Sequence, residues 1–166
     1  AELLISNGSY DLAFHSLQKV DVESPEVDKA QYHSLWGLVF LQKRSFDKAK
    51  DHFQLALKLG SENKEIYLYL AEVEFHRGKF IEALSLLNKT DGFVKKKTGF
   101  FVVLSSVHNA LGNKSKAWDT LLEGEKETPG KVIFIKKKFS FLIENNLYFV
   151  AAQLVKEAIS EKLPQQ

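Results

Sequence analysis

The chain contains no cysteine and no methionine among its 166 residues, and only three prolines and nine glycines. Without cysteine there is no disulfide, no Cys-ligated zinc and no thiol nucleophile. So little proline and glycine argues against a loop-rich or disordered chain. No apolar run approaches the roughly 20 residues that a membrane helix needs. No charged segment followed by an apolar one opens the sequence, so no signal-peptide pattern is present. Arginine is nearly absent too: 2 Arg against 21 Lys, within a net charge of +2. Phosphate and base-edge recognition favour the flat, bidentate guanidinium, so this balance speaks against a nucleic-acid binder.

What charge there is lies unevenly. Residues 1–94 carry a net −3, and residues 95–166 a net +5. Two lysine triplets, Lys95–Lys97 and Lys136–Lys138, make most of the difference. They read as solvated helix ends, with a basic patch for an acidic partner as the alternative.

The informative signal is a period. Gly78-Lys-Phe-Ile-Glu-Ala83 and Gly112-Asn-Lys-Ser-Lys-Ala117 share one frame, with alanines 34 residues apart. One step back lands on Ala49 and one step forward on Ala151. A further copy at Ala13 sits 36 residues before Ala49, so two residues are inserted near Val22–Pro25. Other columns keep phase with the alanines. Three before lie Tyr10, Phe46, Phe80 and Tyr148; four after lie Leu17, Phe53, Leu87, Leu121 and Val155. Twelve before lie the small residues Gly37, Ala71 and Ser105, and then Phe139. Five before lie Gly8, Gly78, Gly112 and Asn146, residue types that tolerate a left-handed backbone, with Arg44 in that place in the second unit.

A 34-residue period with small residues at its eighth and twentieth places resembles the tetratricopeptide (TPR) repeat. The resemblance covers nearly the whole chain, about four and a half units: 1–26, 30–63, 64–97, 98–131 and 132–165. It implies an all-α, right-handed superhelical solenoid of helix-turn-helix hairpins, whose units bury their apolar faces on their neighbours. Ten helical segments are expected: 2–7, 9–21, 27–43, 46–59, 62–77, 80–90, 96–111, 114–126, 130–145 and 147–162. The first unit starts at its eighth position and no polar capping helix precedes Pro164. The chain is therefore expected to be a stretch of a longer protein.

Catalytic patterns are not found. The sequence has no phosphate-cradling glycine loop, no His-Glu-x-x-His and no nucleophile elbow. His33 and His108 fall where TPR units place packing residues, and are read as core. Glu72 and His76, four apart on one helix face, have the spacing of two metal ligands, but no third ligand is near in sequence. No cofactor and no metal are expected. The sequons at Asn7, Asn88 and Asn113 read as turn asparagines.

The resemblance also implies a concave groove lined by the first helix of each unit. Carried onto this chain, its positions are Ser34, Leu38, Leu41 and Gln42 in unit two. Unit three supplies Glu65, Leu68, Glu72, Phe75 and His76, and unit four Val102, Ser106 and Asn109. Gln31 shares the second unit's groove, and Glu2, Ile5 and Ser6 extend it into the truncated first unit. The Lys/Asn/Arg clamp with which one TPR subclass grips chaperone tails is missing. In its place stands a mildly apolar groove with an acidic step at Glu65 and Glu72, suited to an apolar or amphipathic segment. The expected function is a non-catalytic protein–protein interaction scaffold binding a peptide or helix there, with no nucleic acid and no membrane span. Missing flanking repeats of the same protein are an equal candidate for covering the groove. An RNA-associated helical repeat, or an accessory domain tethered to an enzyme, is the alternative from another class. The fifth unit offers Ile133, Lys136, Ser140, Ile143 and Glu144, but it departs most from the pattern, with Lys138 and Phe139 in place of a leucine and a small residue.

Overall fold

A computed structural model describes residues 1–160. Among these residues there are ten α-helices and no strand. They are α1 (Glu2–Ser6), α2 (Tyr10–Gln18), α3 (Lys29–Gln42), α4 (Phe46–Lys58), α5 (Ile66–His76), α6 (Phe80–Asn88), α7 (Thr98–Ala110), α8 (Lys114–Glu127), α9 (Val132–Glu144) and α10 (Tyr148–Ser160). Each expected segment is present, most of them trimmed by one to four residues at an end. The largest trim is at α5, where Asn63 Oδ1 accepts the Glu65 amide at 2.9 Å and holds a turn open before the helix. Residues 161 and 162 of the expected tenth segment, and the chain end at Pro164, lie outside the described residues. No helix of the described chain is long and apolar enough to cross a membrane.

The chain divides into two compact units, Ala1–Val94 and Lys95–Gln166. In the first, α3 packs on α4, α4 on α5, and α5 on α6. Its core has two parts. Leu41, Ala49, Phe53, Ala56, Ile66, Leu70 and Val73 form one cluster from α3, α4 and α5. Ala13, Leu17, Trp36 and Val39 form the other, from α2 and α3. The alanine column read from the sequence is buried throughout: Ala13, Ala49, Ala83, Ala117 and Ala151 are all at or below 1% exposure. Only a methyl group fits where the two helices of a hairpin cross this closely.

The turn column behaves as one motif. Gly8, Arg44, Gly78, Gly112 and Asn146 all adopt positive φ. At each, the next amide closes back on the carbonyl five residues earlier, as in Ser45 N to Phe40 O at 2.9 Å and Lys79 N to Glu74 O at 2.8 Å. This Schellman closure satisfies orphan carbonyls at the helix end and aims the chain into the second helix.

A third small column escaped the sequence reading. Seven residues after the alanine, at the same 34-residue spacing, stand Ala56, Thr90, Gly124 and Ala158. A Cβ on Gly124 would lie 2.5 Å from the Phe134 ring and 2.6 Å from Phe101 Cβ, so the second helix of this hairpin needs a bare backbone there. A Cβ on Gly37 would be equally confined, 2.5 Å from the Phe53 ring.

In the second unit, α7 packs on α8, α8 on α9 and α9 on α10. The fifth repeat's departures are absorbed locally. Lys138 is buried along its stem and its Nζ meets Glu125 at 2.8 Å, while Phe139 stays 38% exposed. The first unit has its own buried charge. Glu74 is 3% exposed and accepts from Lys50 at 2.7 Å and Arg77 at 3.1 Å. Burial alone would raise its carboxyl, but Lys50 and Arg77 outweigh that and hold it below the ordinary value.

Candidate functional site

The first helices of the opening repeats enclose a hollow of about 940 Å³ within the first unit. Its walls come from α1 (Glu2, Ile5, Ser6), from α3 (Gln31, Ser34, Leu38) and from Glu65 and Tyr69 at the start of α5. Local hydrogen bonds set this geometry. Asp28 caps α3 by accepting the Gln31 amide at 3.0 Å. Gln31 Nε2 donates to Glu2 at 3.1 Å and ties α1 to α3. Ser34 donates to the Ala30 carbonyl at 3.0 Å, which lets a hydroxyl sit buried on the floor. Tyr69 OH donates to Glu65 at 2.9 Å; burial, and then the Glu65 charge, push its hydroxyl above the ordinary value.

Of the groove residues expected from the sequence, the hollow brings together Glu2, Ile5, Ser6, Gln31, Ser34, Leu38 and Glu65. Leu41 and Leu68 are buried, Leu41 within the α3–α4–α5 core. Gln42 is exposed beyond the hollow, and Glu72 is half-buried on α5. His76 stacks on Phe46 with ring centroids 4.8 Å apart, and Phe75 leans on Phe80 at 5.7 Å. In the second unit Ser106 donates to the Val102 carbonyl at 2.8 Å, and Asn109 donates to Glu144 at 2.7 Å. The sequence reading missed Asp28, Glu62 and Asn63, which line the hollow from a helix cap and a connecting turn, and Leu35 and Tyr69, which line it from α3 and α5. The signal that could have found the first three is their cluster of turn-forming residue types just ahead of α3 and α5.

The first unit holds a second concavity, of about 450 Å³, lined by Val22 and Glu23, near the two-residue insertion, and by Tyr32, Trp36 and Phe40. Here His33 Nδ1 and His52 Nδ1 lie 2.9 Å apart, so one ring donates while the other accepts. His52 stacks on Trp36 and Phe40 at 5.9 and 5.3 Å. Burial lowers both imidazoles below their ordinary value; for His52 the neighbouring His33 adds to this and Asp51 opposes it. His33 is half-buried on this concavity rather than in the core expected from the sequence, and its partner is a histidine that the sequence did not single out. His108 is half-buried in the second unit, with Nδ1 lacking a hydrogen-bond partner among the described residues. Among the described residues no three His, Asp or Glu side chains converge as a metal-binding group.

Helical hairpins on a 34-residue period, with small residues at their crossings, define a TPR-type repeat fold. Solved structures share it. A chain comprising MamA from residue 41 onward, from Desulfovibrio magneticus RS-1, superposes with a TM-score of 0.72 at 12% identity, over 96% of this chain and 89% of that one. Pseudomonas aeruginosa PilF gives 0.71 at 16% identity, over 98% and 73%. The APC/C hetero-tetramer Cut9–Hcn1 gives 0.71 at 16% identity, over 92% of this chain and 30% of that one. All three are TPR-repeat proteins, and at these identities the likeness is one of fold. No family model matches the sequence, and no curated protein matches it.

Proposed function

We propose that this chain is a non-catalytic protein-interaction scaffold that seats a peptide or helix of a partner protein in the concave hollow of its first unit. The observation that carries the reading is the hollow itself: about 940 Å³, with apolar side chains on α1 and α3 and polar and acidic side chains around them. Such a mixture suits a segment with one apolar face and a polar edge. The TPR-type fold supports the reading, because stacked hairpins present the extended concave surfaces on which repeat proteins bind their partners. The sequence supports it as well, since it carries no catalytic pattern.

A photo-crosslinking amino acid at Gln31, in the hollow, is compared with one at Ile81, which is 73% exposed on α6. A partner captured from the source cell should crosslink at position 31 and not at position 81. Crosslinking at 81 alone would move the site off the hollow.

A further inference from the structure

The hollow has a charge as well as a shape. Four carboxylates line it, Glu2, Asp28, Glu62 and Glu65, and no Lys, Arg or His is among its lining residues. This holds in a chain with 21 lysines and a positive net charge, so the sign of the hollow is set against the average of the molecule. The same hollow is lined by the aliphatic side chains of Ile5, Leu35 and Leu38. The carboxylates are held apart by the architecture. Glu2 is fixed by Gln31 on one wall, Asp28 caps α3, and Glu65 is fixed by the Tyr69 hydroxyl on another. Glu2, Asp28 and Glu62 are exposed and Glu65 is half-buried, so their summed negative potential reaches solvent and draws a cation toward the hollow.

We propose that the hollow receives a basic segment of a partner protein, one that presents lysine or arginine next to apolar side chains. This deepens the reading of the hollow as the partner site and rests on it. The charge complementarity selects the occupant. An acidic segment would bring like charges together, and a purely apolar one would cover Glu2, Asp28 and Glu62 without bringing a charge of opposite sign to them. The aliphatic groups fit the stem of a lysine or the side chain beside it, while the carboxylates take the ammonium or guanidinium head.

Three otherwise identical short amphipathic peptides, carrying Lys, Gln or Glu at their polar positions, discriminate the outcomes. Each is titrated into the full chain while binding and backbone amide shifts are followed. The Lys peptide should bind about tenfold or more tighter than the Gln peptide. Its affinity should fall as salt is raised. Its shifts should centre on residues of α1, α3 and the turn before α5. Glu2→Gln with Glu62→Gln should weaken it about tenfold, while Glu26→Gln with Glu82→Gln, exposed carboxylates outside the hollow, should leave it unchanged. Equal binding of the Gln peptide in the same place would overturn the basic class and leave the hollow as partner site. Shifts centred elsewhere, equal losses from both variant pairs, or no binding of the Lys peptide would overturn the proposal. The position-31 crosslink then decides independently whether the hollow binds a partner at all.

Discussion

Arg44 holds the left-handed conformation, φ 58°, in the one repeat turn where neither glycine nor asparagine stands. A side chain with a Cβ resists that region by about 1–2 kcal/mol, yet the Schellman closure at Ser45 requires it. The residue is exposed, and nothing about the turn needs the guanidinium. Arg44→Gly should therefore raise stability by about 0.5–1 kcal/mol, after the greater freedom of glycine in the unfolded chain is subtracted. Denaturant unfolding checks this, and an unchanged or lower midpoint would show that Arg44 contributes something its position does not reveal. The five-before-alanine column was legible in the sequence because backbone handedness is a local property, set by which residue types tolerate it. The pairing of His33 with His52 was not legible. Nineteen residues separate them, and only the docking of α3 on α4 brings their rings to 2.9 Å.

Among the elements, the crossing of α3 and α4 is the tightest test of the repeat logic. Gly37 lies against the ring of Phe53, which is fully buried in the core cluster. Gly37→Ala improves the intrinsic helix propensity of α3 by about 1 kcal/mol. It also forces a methyl group into a space already filled, at a cost of about 1–3 kcal/mol. The net expectation is a destabilised protein with a lower thermal midpoint. A stabilised variant would mean that α3 and α4 can separate without loss. Gly124 shows why the sequence reading of such crossings was incomplete. Its column of Ala56, Thr90, Gly124 and Ala158 keeps the same period as the others, but mixes three residue types. Smallness is a weaker signal than identity, and it becomes decisive only when Phe101 and Phe134 are seen to close on the site.

For the molecule as a whole, acid is the informative variable. His33, His52 and His108 all have their protonated forms disfavoured by burial, so the unfolded chain binds more protons than the folded one below about pH 6.5. Stability is then fully present above that value and is lost as pH falls through it. Glu74 acts in the same direction at lower pH, because its carboxylate is held by Lys50 and Arg77 and must be protonated to lose them. The thermal midpoint should therefore fall between roughly pH 7.5 and 5. His52→Phe keeps a ring against Trp36 and Phe40 while removing one titrating group, so the fall should become shallower, with the remainder from His33 and His108. An unchanged slope would place the acid sensitivity outside the histidine pair.

Periodicity, residue size and backbone handedness are properties of the chain itself, and they were enough to determine the hairpins, their turns and the buried alanine column. The all-helical, TPR-type class follows from them without any tertiary information, because each repeat states the same local preferences again. The groove did not follow in the same way. Leu41 and Leu68 stand at groove positions of the repeat and are buried, whereas Asp28, Glu62 and Asn63 lie outside those positions and line the hollow. Burial depends on which neighbours arrive from distant parts of the chain, and repeat numbering carries no record of that. The sign of the hollow was likewise decided by the tertiary structure, which draws four carboxylates from α1, the α3 cap and the turn before α5 to one cavity and leaves every lysine out of its lining.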